Sequence, residues 1–385
     1  MTATVLDAVG PAGDAGLYEQ RWQTLWQEME REGVTALAVY GRGSLGSYGA
    51  LQYLSGCFAG PKGTFGLITV GCRPVLVAGS EIEAELLRAG ARAPGVEVIC
   101  GTLPGAAAST GSLLAGASGA CGLAAPPGGL PAGELELLFG AAAGNEPRDL
   151  SHLLETARAA IGPEDAQLLA AAAVGAEAAI ERFAAGFEVG MSEREAAAEI
   201  DAELSRRGAL TRMVFVSAGS FRGRLPSDRE LLRGEPITVL VEQAAPSGHW
   251  AEIGVIAVAG ALDPGAAAVA DACIEALRIG GDGLVPGAPT TSVAAAMEAA
   301  LHERGGRPIS GLGHGTGVDE KGPVVAAGAA GTVDAGTAFA LHPSYAALAG
   351  ADGPTATVAN TFLIGAEAAA PRPLSALPYR LLELA

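Results

Sequence analysis

The stretch TVLVEQAAPSGHWAEIGVIAV, residues 238–258, holds two apolar, strand-like runs on either side of a Pro-Ser-Gly turn, and each run carries one acid, Glu242 and Glu252. Side chains alternate between the faces of a strand, so in a hairpin these two acids can share one side. Two carboxylates on the apolar side of a sheet cost free energy unless something compensates them. The hairpin therefore marks either a pocket that uses acids or a pair of strand ends open to water.

Working outward, Pro163, Glu164 and Asp165 suit a helix first turn, and the Ala/Leu-rich run to about residue 185 favours helix. Ser192 with Glu195 is a capping box opening a helix to about Arg207. Strands are expected over 211–218, 236–244 and 250–258, helices over 264–279 and 292–304, and strands again over 337–342 and 355–364. Paired strands with helices laid outside them make an α+β domain from residue 151 to 385.

The first 150 residues read differently. LYEQRWQTLWQEMERE (17–32) places Leu17, Trp22, Leu25 and Met29 at helical spacing, and Gly33 stops the helix. VTALAVYG, FGLITV and RPVLVAG read as strands, and SEIEAELLRAG as a helix, giving an α/β domain. Residues 104–133, rich in Gly, Ala, Ser and Pro, read as loops and small-residue elements. GRGSLGSYG (41–49) lacks the spacing of a dinucleotide-binding loop.

Composition sets outer limits. A chain of 385 residues has room for roughly two domains, and 49% hydrophobic with 17% charged residues is the balance of a globular protein. The net charge of −18 argues against nucleic-acid or anionic-membrane partners, which need basic patches. The five cysteines lie singly, with no CxxC pair, which reads as free thiols in a reducing cytoplasm. The start lacks the pattern of a signal peptide, and no apolar run is long enough to span a bilayer.

The order of motifs resembles the creatinase/aminopeptidase P family, whose pita-bread fold is shared with methionine aminopeptidase. VEQAAPSGHWAE, GLGHGTGVDEKGP (311–323), VDAGTAFALHPSY (333–345) and TATVANTFLIGAE (355–367) follow one another as that family's site motifs do. RAAIGPEDAQLLAAAAVGAEAAI resembles its entry helix, and the N-terminal segment its smaller domain. The resemblance implies an α/β N-terminal domain to residue 150, a pita-bread domain after it, and a homodimer.

Carried over by position, the family's two metal-binding aspartates fall on Glu242 and Glu252, and its metal histidine on His314. The Glu-Pro glutamate becomes His342 before Pro343, and the last metal glutamate becomes Ala359, followed by Asn360. Two adjacent ions need bridging carboxylates and alanine cannot bridge, so an ordinary dinuclear peptidase site is not expected. Creatinase, which works without metal on a small guanidino compound, offers a precedent. The expectation is thus an enzyme with no cofactor, hydrolysing a C–N bond of a small amino-acid-derived or guanidino substrate by acid–base chemistry. Glu252 and His314 would move protons while Glu242 and His342 orient the substrate.

Substrate contacts are expected from Arg222 and Arg224, an arginine fork suited to a carboxylate, and from His249 in the hairpin turn. Two alternatives stand. Glu252, His314 and His342 match positions that converge on one ion in the family, a two-histidine, one-carboxylate set suited to iron or zinc. The other is a ligand-binding homologue without catalysis. His152 and His302 lie outside the pattern and are expected at the surface.

Overall fold

A computed structural model describes residues 14–60, 62–101, 105–126, 129–142, 144–219, 225–347, 355–365 and 370–385. The chain divides into two units, one ending at Ala160 and the other running from Ile161 to Ala385.

In the first unit the helix Asp14–Arg31 buries Leu17, Trp22, Leu25 and Met29, the residues its periodicity singles out. Gly33, at φ 66°, closes it in the left-handed region where only glycine is free of strain. Among the described residues a six-stranded sheet runs in the order Glu97–Cys100, Val75–Ala78, Thr64–Thr69, Ala36–Gly41, Cys121–Ala124, Arg148–Asp149. The stretch 104–133, expected as loops and small-residue elements, supplies the regular helix Ala106–Ala115 and the strand Cys121–Ala124, which pairs in parallel with Ala36–Val39. Its alanines and glycines give a helix almost no amphipathic contrast, so pattern reading passes over it.

The second unit is built in two halves. In the first, helices Pro163–Ala185 and Glu193–Arg206 cover a four-stranded sheet ordered Leu382–Leu384, Trp250–Ala259, Ile237–Ala244, Thr211–Ala218. Leu169, Ala176, Ile180 and Phe183 pack there against Val239, Val241, Ile253 and Val255. Odd-numbered residues of the hairpin thus face the helices, and the even-numbered Glu242 and Glu252 face away. A Cβ on Gly175 would lie 2.7 Å from Gln243 Nε2, so a larger residue there would push this side chain off the Ala172 carbonyl, to which it donates at 2.7 Å.

In the second half, helices Pro264–Gly283 and Thr290–Glu303 share a core with the strands Ala338–Leu341 and Asn360–Leu363. These strands belong to a five-stranded sheet that includes Gly313–Gly317 and Asp319–Val325. The run expected as one strand over 355–364 breaks at Val358–Ala359 into Thr355–Thr357 and Asn360–Leu363, which join different sheets.

The halves are stitched along one edge of Trp250–Ala259. The Trp250 carbonyl accepts from the Thr316 hydroxyl at 2.8 Å, and the Glu252 N–H donates to Thr361 Oγ1 at 2.9 Å. Gly254 and Ala359 exchange both backbone bonds, at 2.9 and 3.0 Å. Beyond them Leu382–Leu384 pairs in parallel with Ala257–Ala259. This pairing of two helix-backed sheets is the pita-bread arrangement.

Candidate metal centre

Glu242 and Glu252 are directly paired in the hairpin ladder. The seam carries Glu252 to the second half, where its Oε1 lies 3.0 Å from His314 Nε2. His314 sits in Gly313–Gly317, between glycines whose missing Cβ atoms admit neighbouring backbone: a Cβ on Gly313 would meet the Ala340 carbonyl oxygen at 2.4 Å. His314 pairs with Ala340, so His342, two residues on, is its diagonal neighbour across the sheet. The two imidazole centroids are 5.4 Å apart.

Glu252, His314 and His342 each offer a ligand atom, and these atoms all lie within 4.8 Å of one another. Glu252 is 2% exposed. Its Oε1 accepts from the Trp250 indole N–H at 2.9 Å, while its buried Oε2 has no hydrogen-bond partner among the described residues. A buried carboxylate oxygen left without a donor is costly, and beside two imidazoles it is the place a divalent cation fits. His314 Nδ1 faces the Gly315 carbonyl at 3.1 Å, which leaves Nε2 as the atom turned to the site.

Charge is distributed unevenly. Burial alone would raise the Glu252 carboxyl, but the His314 imidazolium and the indole donor outweigh it and hold it below the usual range. Burial would lower His314, yet Glu252 more than reverses this and lifts it to about 10. Burial takes His342 below its ordinary value, and the Glu252 charge only partly opposes this. Glu242 is driven up to about 9 by burial and then by the Glu252 charge. The metal-free site thus holds a Glu252–His314 ion pair, a neutral His342 and a protonated Glu242.

Other expected residues fall elsewhere. His249 is fully buried, with Nε2 3.1 Å from Asp165 Oδ1 and Nδ1 3.0 Å from Ser247 Oγ, so both ring nitrogens have partners within the fold. Arg222 and Arg224 lie outside the described residues. His152 and His302 are exposed. Ala359 packs with Leu240 and Phe215, and Asn360 clamps Ser375 through two hydrogen bonds, so neither offers a ligand oxygen to the cluster. Sequence reading did not assign a role to Trp250 or to Glu320, whose Oε1 is 3.9 Å from His314 Nε2. Tryptophan in an apolar strand carries no signal of a polar role until its partner is placed.

The fold and this cluster define a pita-bread protein with a mixed glutamate and histidine centre. The sequence profile of metallopeptidase family M24 matches residues 167–366, and the chain belongs to that family. No curated protein matches it in sequence. Among solved structures it is similar to X-Pro aminopeptidase from Thermotoga maritima, with TM-score 0.80 and 16% identity over 94% of this chain and 99% of that one. It is also similar to dipeptidase PepE from Mycobacterium ulcerans, with TM-score 0.78 and 22% identity over 96% and 99%. A third likeness is the N-terminal domain of FACT complex subunit SPT16 from Cicer arietinum, with TM-score 0.66 and 15% identity over 94% and 95%.

Membership of a metallopeptidase family, together with the convergent Glu252, His314 and His342, overturns the expectation of a site without a cofactor. Exchanging a glutamate for His342 changes the ligand atom from oxygen to nitrogen without removing the ligand. The error lay in letting the missing bridge at Ala359 stand for the loss of all metal chemistry, when Glu252, His314 and His342 still form a ligand group.

Proposed function

We propose that this protein hydrolyses the amide bond of a small amino-acid derivative or short peptide, using one divalent metal ion held by Glu252, His314 and His342. The observation that carries this reading is the unpartnered Oε2 of Glu252 within a three-residue ligand group. When bound, the ion supplies Lewis acidity to the scissile carbonyl. Glu252 contributes one oxygen, His314 its Nε2 and His342 a ring nitrogen. Glu242, protonated beside them, holds a proton that the departing amine requires. Glu320, near His314 and partly exposed, would hold the substrate's ammonium. Arg222 and Arg224 remain proposed contacts for its carboxylate, while His249, buried with both ring nitrogens partnered in the fold, is set aside as a contact. Elemental analysis of protein purified without a histidine tag, followed by a dipeptide panel, tests the reading. One zinc, iron or manganese per chain and metal-dependent release of amino acid support it, whereas tight substrate retention without turnover favours a binding protein. The latter alternative is supported by Ala359 and by the likeness to a complex subunit.

A cytoplasmic homodimer belongs to the same proposal; five free cysteines support the compartment and the family resemblance the dimer. No helix among the described residues is long and apolar enough to cross a membrane. Light scattering of the purified chain tests the dimer.

A further inference from the structure

Trp250 and Glu252 lie two residues apart on one strand and therefore share a face. The indole N–H reaches Glu252 Oε1 at 2.9 Å, and the His314 Nε2 reaches the same oxygen at 3.0 Å. Among the described residues the polar contacts of this carboxylate thus gather on Oε1, and Oε2 has none. The two donors differ in kind. An indole N–H can only donate, whatever occupies the site, whereas a histidine nitrogen that ligates a metal ceases to be a donor. Trp250 is itself 1% exposed, and its carbonyl is fixed by Thr316, so the indole has little freedom to turn away.

We infer that Trp250 is a positioning residue that keeps Oε1 of Glu252 as a hydrogen-bond acceptor, so that the carboxylate offers a metal ion Oε2 alone. The inference rests on the metal-centre reading above. It explains a feature that reading leaves open. A dinuclear centre needs carboxylates that bridge through both oxygens. Here Ala359 removes one possible bridge, and the indole occupies the second oxygen of the other. Glu252 becomes a terminal ligand, and the centre is built for one ion.

The test uses the full-length, metal-free chain and zinc ion alone as probe. Chelator competition should show Trp250→Phe, which keeps an aromatic ring and removes the N–H, binding zinc about 10–100-fold more weakly than the parent, the usual cost of losing an outer partner of a ligand. The chain has three tryptophans, so labelling them with nitrogen-15 gives three indole N–H signals, with Trp22→Phe and Trp26→Phe identifying the other two. On zinc saturation of the parent the Trp250 indole proton should stay at a hydrogen-bonded, downfield position and shift as His314 leaves Oε1. Movement upfield to a free indole position overturns the inference, because Oε1 has then turned to the ion. Equal zinc affinity in parent and Trp250→Phe overturns it too while sparing the metal centre. No zinc binding by the parent removes the metal centre and the inference together. If Trp250→Phe fails to fold, the indole signal of the parent decides.

Discussion

Glu242 and Glu252 stand directly opposite each other in the hairpin ladder, yet the site leaves the first protonated and the second ionised. The difference comes from the far half of the domain. The seam at Thr361 and Ala359 delivers Glu252, not Glu242, to the histidines. The half-buried Glu242 and the buried Glu252 can face one pocket because one is paired and the other keeps its proton.

This asymmetry separates two substitutions of identical chemistry. Glu252→Gln removes a ligand and should weaken metal binding by more than the roughly 10–100-fold cost of losing an outer partner. Glu242→Gln replaces a group that is already neutral in the fold, so affinity should change little while turnover falls, and metal-free stability near neutral pH should rise because the cost of keeping Glu242 protonated is gone. Isothermal titration alongside urea unfolding reads both, and equal losses of affinity would refute the division of roles.

Stability of the metal-free chain should depend on pH in a particular direction. Glu252, held below its ordinary value, stabilises the fold above about pH 4.5, and this is lost as pH falls through its lower folded value. His314, raised from 6.5 to about 10, stabilises below pH 6.5 and loses that contribution as pH climbs through about 10. Glu242, raised from 4.5 to about 9, favours the folded state at low pH and costs stability as pH rises between those values. His342, held below 6.5, adds stability as pH rises towards 6.5 and offsets the Glu242 cost there, so the melting temperature measured in chelator should be highest between about pH 5 and 6.5 and decline above it. A rise between about pH 6.5 and 9 would contradict these assignments.

Metal affinity should run the other way. In the metal-free site His314 Nε2 carries the proton shared with Glu252, and an ion must take that nitrogen's lone pair. Zinc binding should release a proton and tighten as pH rises from 6 to 8. Calorimetry in buffers of differing ionisation enthalpy counts the protons directly.

The seam is testable apart from the site. A Cβ on Gly254 would lie 2.8 Å from the Ala359 backbone nitrogen, a contact neither strand can relieve without moving. Gly254→Ala should cost about 1–3 kcal/mol and weaken metal binding, since Glu252 and the histidines belong to different halves. Loss of stability with metal affinity intact would mean that the halves stay in register by other contacts.

Much of this architecture was legible in the sequence because apolar strands interrupted by single acids or histidines are conspicuous. Glu242 and Glu252 stand out in this way, His314 and His342 are found through the family resemblance of their motifs, and three of the four converge. Elements whose logic lies in distant contacts were not legible. Asp165 meets His249 across 84 residues of chain, and nothing local to either predicts the pair. The helix Ala106–Ala115 was hidden by its own composition, since small residues pack closely without an amphipathic stripe.

The stitched edge of Trp250–Ala259 also bears on how the protein behaves in a crowded solution. An uncovered ten-residue strand, apolar or small everywhere but at Glu252, would be a template for adding strands from another chain. Here Thr316, Thr361 and Ala359 take the first part of that edge, and Leu382–Leu384 takes the last. The strand that brings the acid to the histidines is thereby also closed to strand-by-strand aggregation, so loosening the seam to open the site would expose a sticky surface at the same time.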